Sequence, residues 1–125
     1  GGNTGSQALA VTIRALALGE IERDEAFHAV GKQILVALFM GTLIGLTTGL
    51  IAFLWRGNPY LGLVIASAML INMTIAGLVG SGVPWLLKSL GQDPAMGGGV
   101  LVTAVTDSLG FLAFLGIATL FISYL

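Results

Sequence analysis

From Gly99 to Leu125 the sequence carries a single charged side chain, Asp107, set among valines, leucines, phenylalanines, threonines and glycines. About 20 mostly apolar helical residues span the ~30 Å hydrocarbon core of a bilayer, so this stretch predicts a transmembrane helix. A carboxylate inside such a helix costs roughly 2.5–3.5 kcal/mol on insertion scales, and a helix that keeps one normally has a partner for it. Finding that partner shapes the reading of the remaining chain.

The rest of the composition agrees with a membrane location. Apolar residues make up 56% of the chain and charged residues 9%, against roughly 25% charged in soluble domains. The predicted fold is all-α, a polytopic membrane helix bundle in the lipid bilayer, forming one domain over residues 1–125. The net charge is −1, and apart from Asp107 the five basic and six acidic residues cluster toward segment ends. No basic stripe offers a nucleic-acid surface. The absence of cysteine excludes disulfides, thiolate metal sites and thiol catalysis. The sequence opens on Gly1 without an initiator Met, a basic leader or a cleavage site, which predicts a piece of a longer protein, truncated at its N-terminus.

Four transmembrane helices are expected, at about residues 4–18, 25–55, 60–90 and 94–124. The first is short, and Asn3, Gln7 and Arg14 share one of its faces, a polar stripe that should meet protein or water rather than lipid. Gly19 ends it. Glu20, Glu22, Asp24 and Glu25 then form an acidic cluster outside the membrane, with Asp24 expected as the N-cap of the second helix. In that helix Gly41, Gly45 and Gly49 make two overlapping G-x-x-x-G steps, a face where another backbone can approach closely.

Arg56-Gly-Asn-Pro59 reads as a turn. In the third helix Ala68, Asn72, Ala76 and Gly80 lie four apart, which makes Asn72 a helix-packing residue and an expected interhelical hydrogen-bonder. Pro84 should bend this helix or mark its exit. Trp55, Tyr60 and Trp85 sit where interfacial aromatics belong. Gly91-Gln-Asp-Pro94 is the next break, with Asp93 as N-cap and Pro94 as first residue of the fourth helix.

Lysine and arginine orient the bundle. Arg14, Arg23, Lys32 and Lys88 flank the first and third connections, and Arg56 alone lies at the second. The positive-inside bias therefore puts the first and third connections in the cytoplasm of a multi-pass cell (inner) membrane protein, with both ends of the sequence outward. Entering near Met96, the fourth helix reaches Asp107 after about 11 residues, roughly 16 Å, which is mid-bilayer.

Thr103, Asp107 and Gly110 line one face of that helix, bordered by Thr106 and Phe114. The bland reading is a protonated carboxyl, or one hydrogen-bonded to Asn72 or a threonine, that merely holds helices together. A functional role outweighs it, because Ser, Thr and Asn are cheaper glue and no basic residue lies at the same depth. The partner is then a proton or a cation. In a two-fold dimer both copies of Asp107 would face one axis, where two charges repel unless a cation lies between them. Mg²⁺, which takes oxygen ligands and keeps several waters, suits a pore of carboxylates, carbonyls and hydroxyls. Mn²⁺, Co²⁺ and Ni²⁺ also fit such a site.

Four segments together resemble the membrane domain of the MgtE family of magnesium channels. They are Gly1-Gly-Asn-Thr-Gly-Ser-Gln7, Ile13-Arg-Ala-Leu-Ala17, Leu90-Gly-Gln-Asp-Pro-Ala95 and Thr106-Asp-Ser-Leu-Gly110. The resemblance runs in order over nearly the whole chain. It implies a homodimeric Mg²⁺ channel with a pore lined by the first and fourth helices, including Asn3, Gln7, Thr106 and Gly110. Asp107 would bind the hydrated ion and Thr103 would offer its backbone carbonyl. Family members carry five membrane helices after N-terminal cytoplasmic and CBS sensor domains, so this chain would start after the first helix.

Other features carry less. The acidic cluster could hold an intracellular cation, but such a loop is more often a solvated surface. His28 reads as an interfacial side chain rather than a metal ligand. The opening glycines lack the Lys-Ser/Thr ending of a phosphate loop, and no enzyme motif is present, so the protein is not expected to be an enzyme. Besides passive Mg²⁺ conduction, two alternatives stand: a proton-coupled secondary transporter of divalent cations and a non-conducting helical scaffold.

Overall fold

A computed structural model describes residues 1–17, 23–93 and 98–125. The described residues form four α-helices, α1 (Gly2–Ala17), α2 (Arg23–Arg56), α3 (Pro59–Ser89) and α4 (Gly98–Leu120), followed by a short 3-10 turn at Ile122–Tyr124. Three helical stretches are long and apolar enough to cross a membrane: Val30–Arg56, Pro59–Ser89 and Gly98–Leu120. At 16 residues, α1 reaches about 24 Å. The described residues thus form four helices, as expected, and three of them are of spanning length.

The helix ends follow from local chemistry. The first turn of α1 forms two residues earlier than expected because the Gly5 amide donates to the Gly1 carbonyl at 2.9 Å. Gly57 closes α2 with a positive φ of 67°, its amide donating to the Phe53 carbonyl at 2.7 Å. Asn58 then caps α3, its side chain accepting from the Tyr60 amide, with Pro59 in the first helical turn, where no N–H is missed. At the other end of α3, Gln92 donates to the Leu87 carbonyl at 2.8 Å and Gly91 to the Lys88 carbonyl at 3.1 Å. With Gly91 at φ 76°, this is the paired bonding of a Schellman cap.

Some expected boundaries change. Pro84 does not end α3, which continues to Ser89; the proline is buried and leaves only the Gly80 carbonyl without its helical donor. Asp24 is not an N-cap, since α2 is already helical at Arg23. Gly19 and the Pro94 start of the fourth helix lie outside the described residues, and α4 is described from Gly98.

At the centre of the bundle, α3 touches α1, α2 and α4, while α1 leans on α3 and α4 and barely meets α2. Small residues make these approaches. A Cβ on Gly45 would lie 2.8 Å from the Ala66 carbonyl oxygen, and one on Gly77 would lie 2.7 Å from the Ala37 Cβ. On the other side of α3, Gly80 meets the Gly5 carbonyl, and Gly5 would place a Cβ 2.9 Å from Val102. Leu9, Val83 and Val102 fill the seam among α1, α3 and α4, with Ile13, Val79 and Leu87 packed on it. Large apolar side chains such as Leu35 (67% exposed) and Phe111 (70%) face outward, as lipid-facing or partner-facing helices require.

Candidate functional site in the cleft beside Asp107

The inner stripe of α4 is Gly98, Val102 and Thr106, all buried against its neighbours. Residue 107 follows 106 by 100° around the helix, so Asp107 points away from that seam and is exposed. With Gly2, Asn72, Thr106, Gly110, Phe111 and Phe114 it lines an open cleft of about 370 Å³. No described residue gives the Asp107 carboxylate a hydrogen bond or an ion pair. Among the described residues no three His, Asp or Glu side chains converge as a metal cluster, so this chain contributes one carboxylate to the cleft rather than a closed cage.

The other predicted site residues divide by face. Gly5, Ala8, Leu9 and Thr12 are the buried side of α1, so Asn3, Gln7 and Arg14, half a turn away, form an exposed polar stripe. None of these three lines the cleft. Thr106 does, although it is only 2% exposed: its hydroxyl donates to the Val102 carbonyl at 2.8 Å and, in a longer branch, to the Thr103 carbonyl at 3.2 Å. Thr103 itself is exposed on α4 and is not part of the cleft wall. Glu20 and Glu22 lie outside the described residues, as do the side chains of Asp24 and Glu25, while His28 is exposed on α2.

Asn72 is the polar group that α3 adds. Its carboxamide lies between two glycines, Gly1 and Gly110; a Cβ on Gly110 would stand 2.7 Å from Oδ1 and 3.1 Å from Nδ2. Among the described residues the expected interhelical hydrogen bond does not form: Oδ1 is buried and none of them gives it a partner. Both facing residues are glycines and bring no side chain; the backbone groups of Gly110 are engaged within α4, and the Gly1 carbonyl accepts from the Gly5 amide. An orphaned buried acceptor of this kind costs about 1–3 kcal/mol.

Residues 1–117 match the family model for MgtE, described as a divalent cation transporter. The chain belongs to the MgtE family. MgtE proteins are transporters rather than enzymes, and together with the three apolar helices this makes the chain part of a membrane protein. It is 35% identical over 121 residues, 97% of its length, to the magnesium transporter MgtE of Bacillus subtilis. It is 39% identical over 124 residues, 98% of its length, to the magnesium transporter MgtE of Enterococcus faecalis, and 36% identical over 121 residues, 96% of its length, to that of Thermus thermophilus. The chain spans 27%, 27% and 26% of these MgtE relatives.

Two cleft residues had no place in the sequence reading. Phe111 is one turn beyond Asp107, so the i, i+4 spacing was the available signal. Gly2 carries no side chain, and nothing in the sequence marks the side on which α1 meets α4.

Proposed function

We propose that this chain forms the ion-conducting membrane part of a Mg²⁺ transporter, in which two copies pair about a two-fold axis and hydrated Mg²⁺ passes between their Asp107 carboxylates. The observation that carries the reading is the exposure of Asp107, without a partner among the described residues, on a membrane-spanning helix that holds no other charged side chain. Mg²⁺ sheds water reluctantly, so the carboxylates accept hydrogen bonds from metal-bound water rather than stripping the ion. Two of them balance its charge where the surrounding helices exclude counter-ions.

The Thr103 carbonyl adds a neutral acceptor one turn earlier. To face the ion it gives up only the longer, 3.2 Å branch of the Thr106 hydroxyl's shared hydrogen bond. The exposed Asn3 and Gln7 stripe of α1 supplies amides to the same aqueous path. The first and third connections lie on the cytoplasmic side, and α1 completes its passage as a fourth span in the assembled protein.

Mg²⁺ titration of the isotopically labelled full-length protein in detergent tests the assignment. Saturable amide shifts over Thr103–Gly110 that disappear in Asp107→Asn are expected. Shifts that persist in that variant would remove Asp107 from the site.

A further inference from the structure

We infer that Asn72 is a second anchor for the cation's hydration shell, paired across the cleft wall with Asp107; the inference rests on the role proposed for Asp107. Asn72 and Asp107 line the same cleft from different helices. A hydrated Mg²⁺ presents water protons that need acceptors. Apart from the carboxylate, the side chains around this cleft are two phenylalanines, a threonine whose hydroxyl is already bonded within its own helix, and the Asn72 carboxamide. The carboxamide has an unused acceptor, since Oδ1 makes no hydrogen bond to any described residue. Its planar group is nearly symmetric in outline, so a half-turn about Cβ–Cγ exchanges its two ends and turns the oxygen toward an occupant.

Gly110 fits the same account. It lies on α4 at i+3 from Asp107 and also lines the cleft. Any side chain there would rest on the carboxamide, because its Cβ would approach Oδ1 to 2.7 Å and Cγ to 3.0 Å. Glycine at 110 leaves the space beside the carboxamide free of a side chain on the helix that carries Asp107. If Asn72 served only to join helices, its oxygen would hold a donor from a neighbouring helix, and none of the described residues provides one. Leucine would fill comparable space without burying an unpaired polar atom.

Structural and functional roles therefore predict opposite results for Asn72→Leu. As a cation anchor, Asn72→Leu in the full-length protein keeps or raises thermal stability in detergent with Mg²⁺ chelated, while the Mg²⁺ concentration for half-maximal flux in proteoliposomes rises about tenfold. Asn72→Ala shows the same flux defect, and Gly110→Ala, which covers the carboxamide, shifts flux in the same direction. Unchanged concentration dependence in Asn72→Leu and Asn72→Ala overturns the inference. So does failure of both to fold, because that would make the carboxamide a packing element. Asp107→Asn is measured beside them: if it impairs flux and the Asn72 variants do not, only the Asn72 anchor falls. If Asp107→Asn is also silent, the Asp107 pathway itself falls.

Discussion

Gly49 and Gly62 meet backbone to backbone: a Cβ on Gly49 would lie 2.6 Å from the Gly62 carbonyl oxygen, and one on Gly62 would lie 2.6 Å from the Gly49 carbonyl oxygen. Neither oxygen belongs to a flexible side chain that could swing aside. A methyl group at either position must push α2 and α3 apart along a shared seam, at a cost of about 1–3 kcal/mol. Gly49→Ala and Gly62→Ala are each expected to lower thermal stability in detergent, and the double variant to lose less than the sum, because the first displacement makes room for the second methyl. Native stability in both single variants would contradict the close approach.

Gly45→Leu extends the same argument with a larger group. Its Cβ alone would stand 2.8 Å from the Ala66 carbonyl oxygen, so the branched side chain cannot enter without separating the helices, and the variant should be less stable than Gly49→Ala. Gly31, with nothing within 4 Å of its Cβ position, provides the control: Gly31→Ala should be neutral or slightly stabilising. Unfolding midpoints of the three variants check the order.

Asn58 joins the turn between α2 and α3 to the end of the chain. Its side chain accepts from the Tyr60 amide at 2.9 Å and donates from Nδ2 to the Tyr124 carbonyl at 3.0 Å, while Tyr60 and Tyr124 stack with centroids 4.7 Å apart. Asn58→Ala removes the cap and the tie together, for about 0.5–2 kcal/mol. Hydrogen exchange should quicken in the first turn of α3 and at Tyr124. Protection unchanged at both places would show that the tie contributes nothing.

The helices were legible because their signals are local. Gly57 and Asn58-Pro59 announced the α2–α3 turn, and Gly91 the end of α3, through backbone preferences that hold without tertiary context. Pro84 was harder to read, since a proline near a helix end stops some helices and is carried through by others; here α3 runs one more turn beyond it. The site was half legible. Asp107 stood out as the sole charge in its segment, but the orphaned oxygen of Asn72 depends on which residues of α1 and α4 face it. Two glycines there leave no trace in the periodicity of α3.

The polar stripe on α1 separates pathway from packing. Asn3 and Gln7 are exposed opposite the buried face of their helix, so Asn3→Leu and Gln7→Leu should change stability by no more than about 0.5 kcal/mol. Their Mg²⁺ flux should nevertheless fall in proteoliposomes, because an apolar side chain cannot replace an amide beside hydrated ions. Lost stability with normal flux would place the stripe in packing and outside the ion path.

The most direct test of the central claim is Mg²⁺ flux through the reconstituted full-length protein with and without the carboxylate at 107, under an imposed membrane potential and with internal pH recorded. Passive conduction past Asp107 predicts potential-driven Mg²⁺ entry without proton movement, reduced at least tenfold in Asp107→Asn while that variant remains folded. Entry that persists unchanged in Asp107→Asn, or that stops unless protons move in the opposite direction, would contradict it.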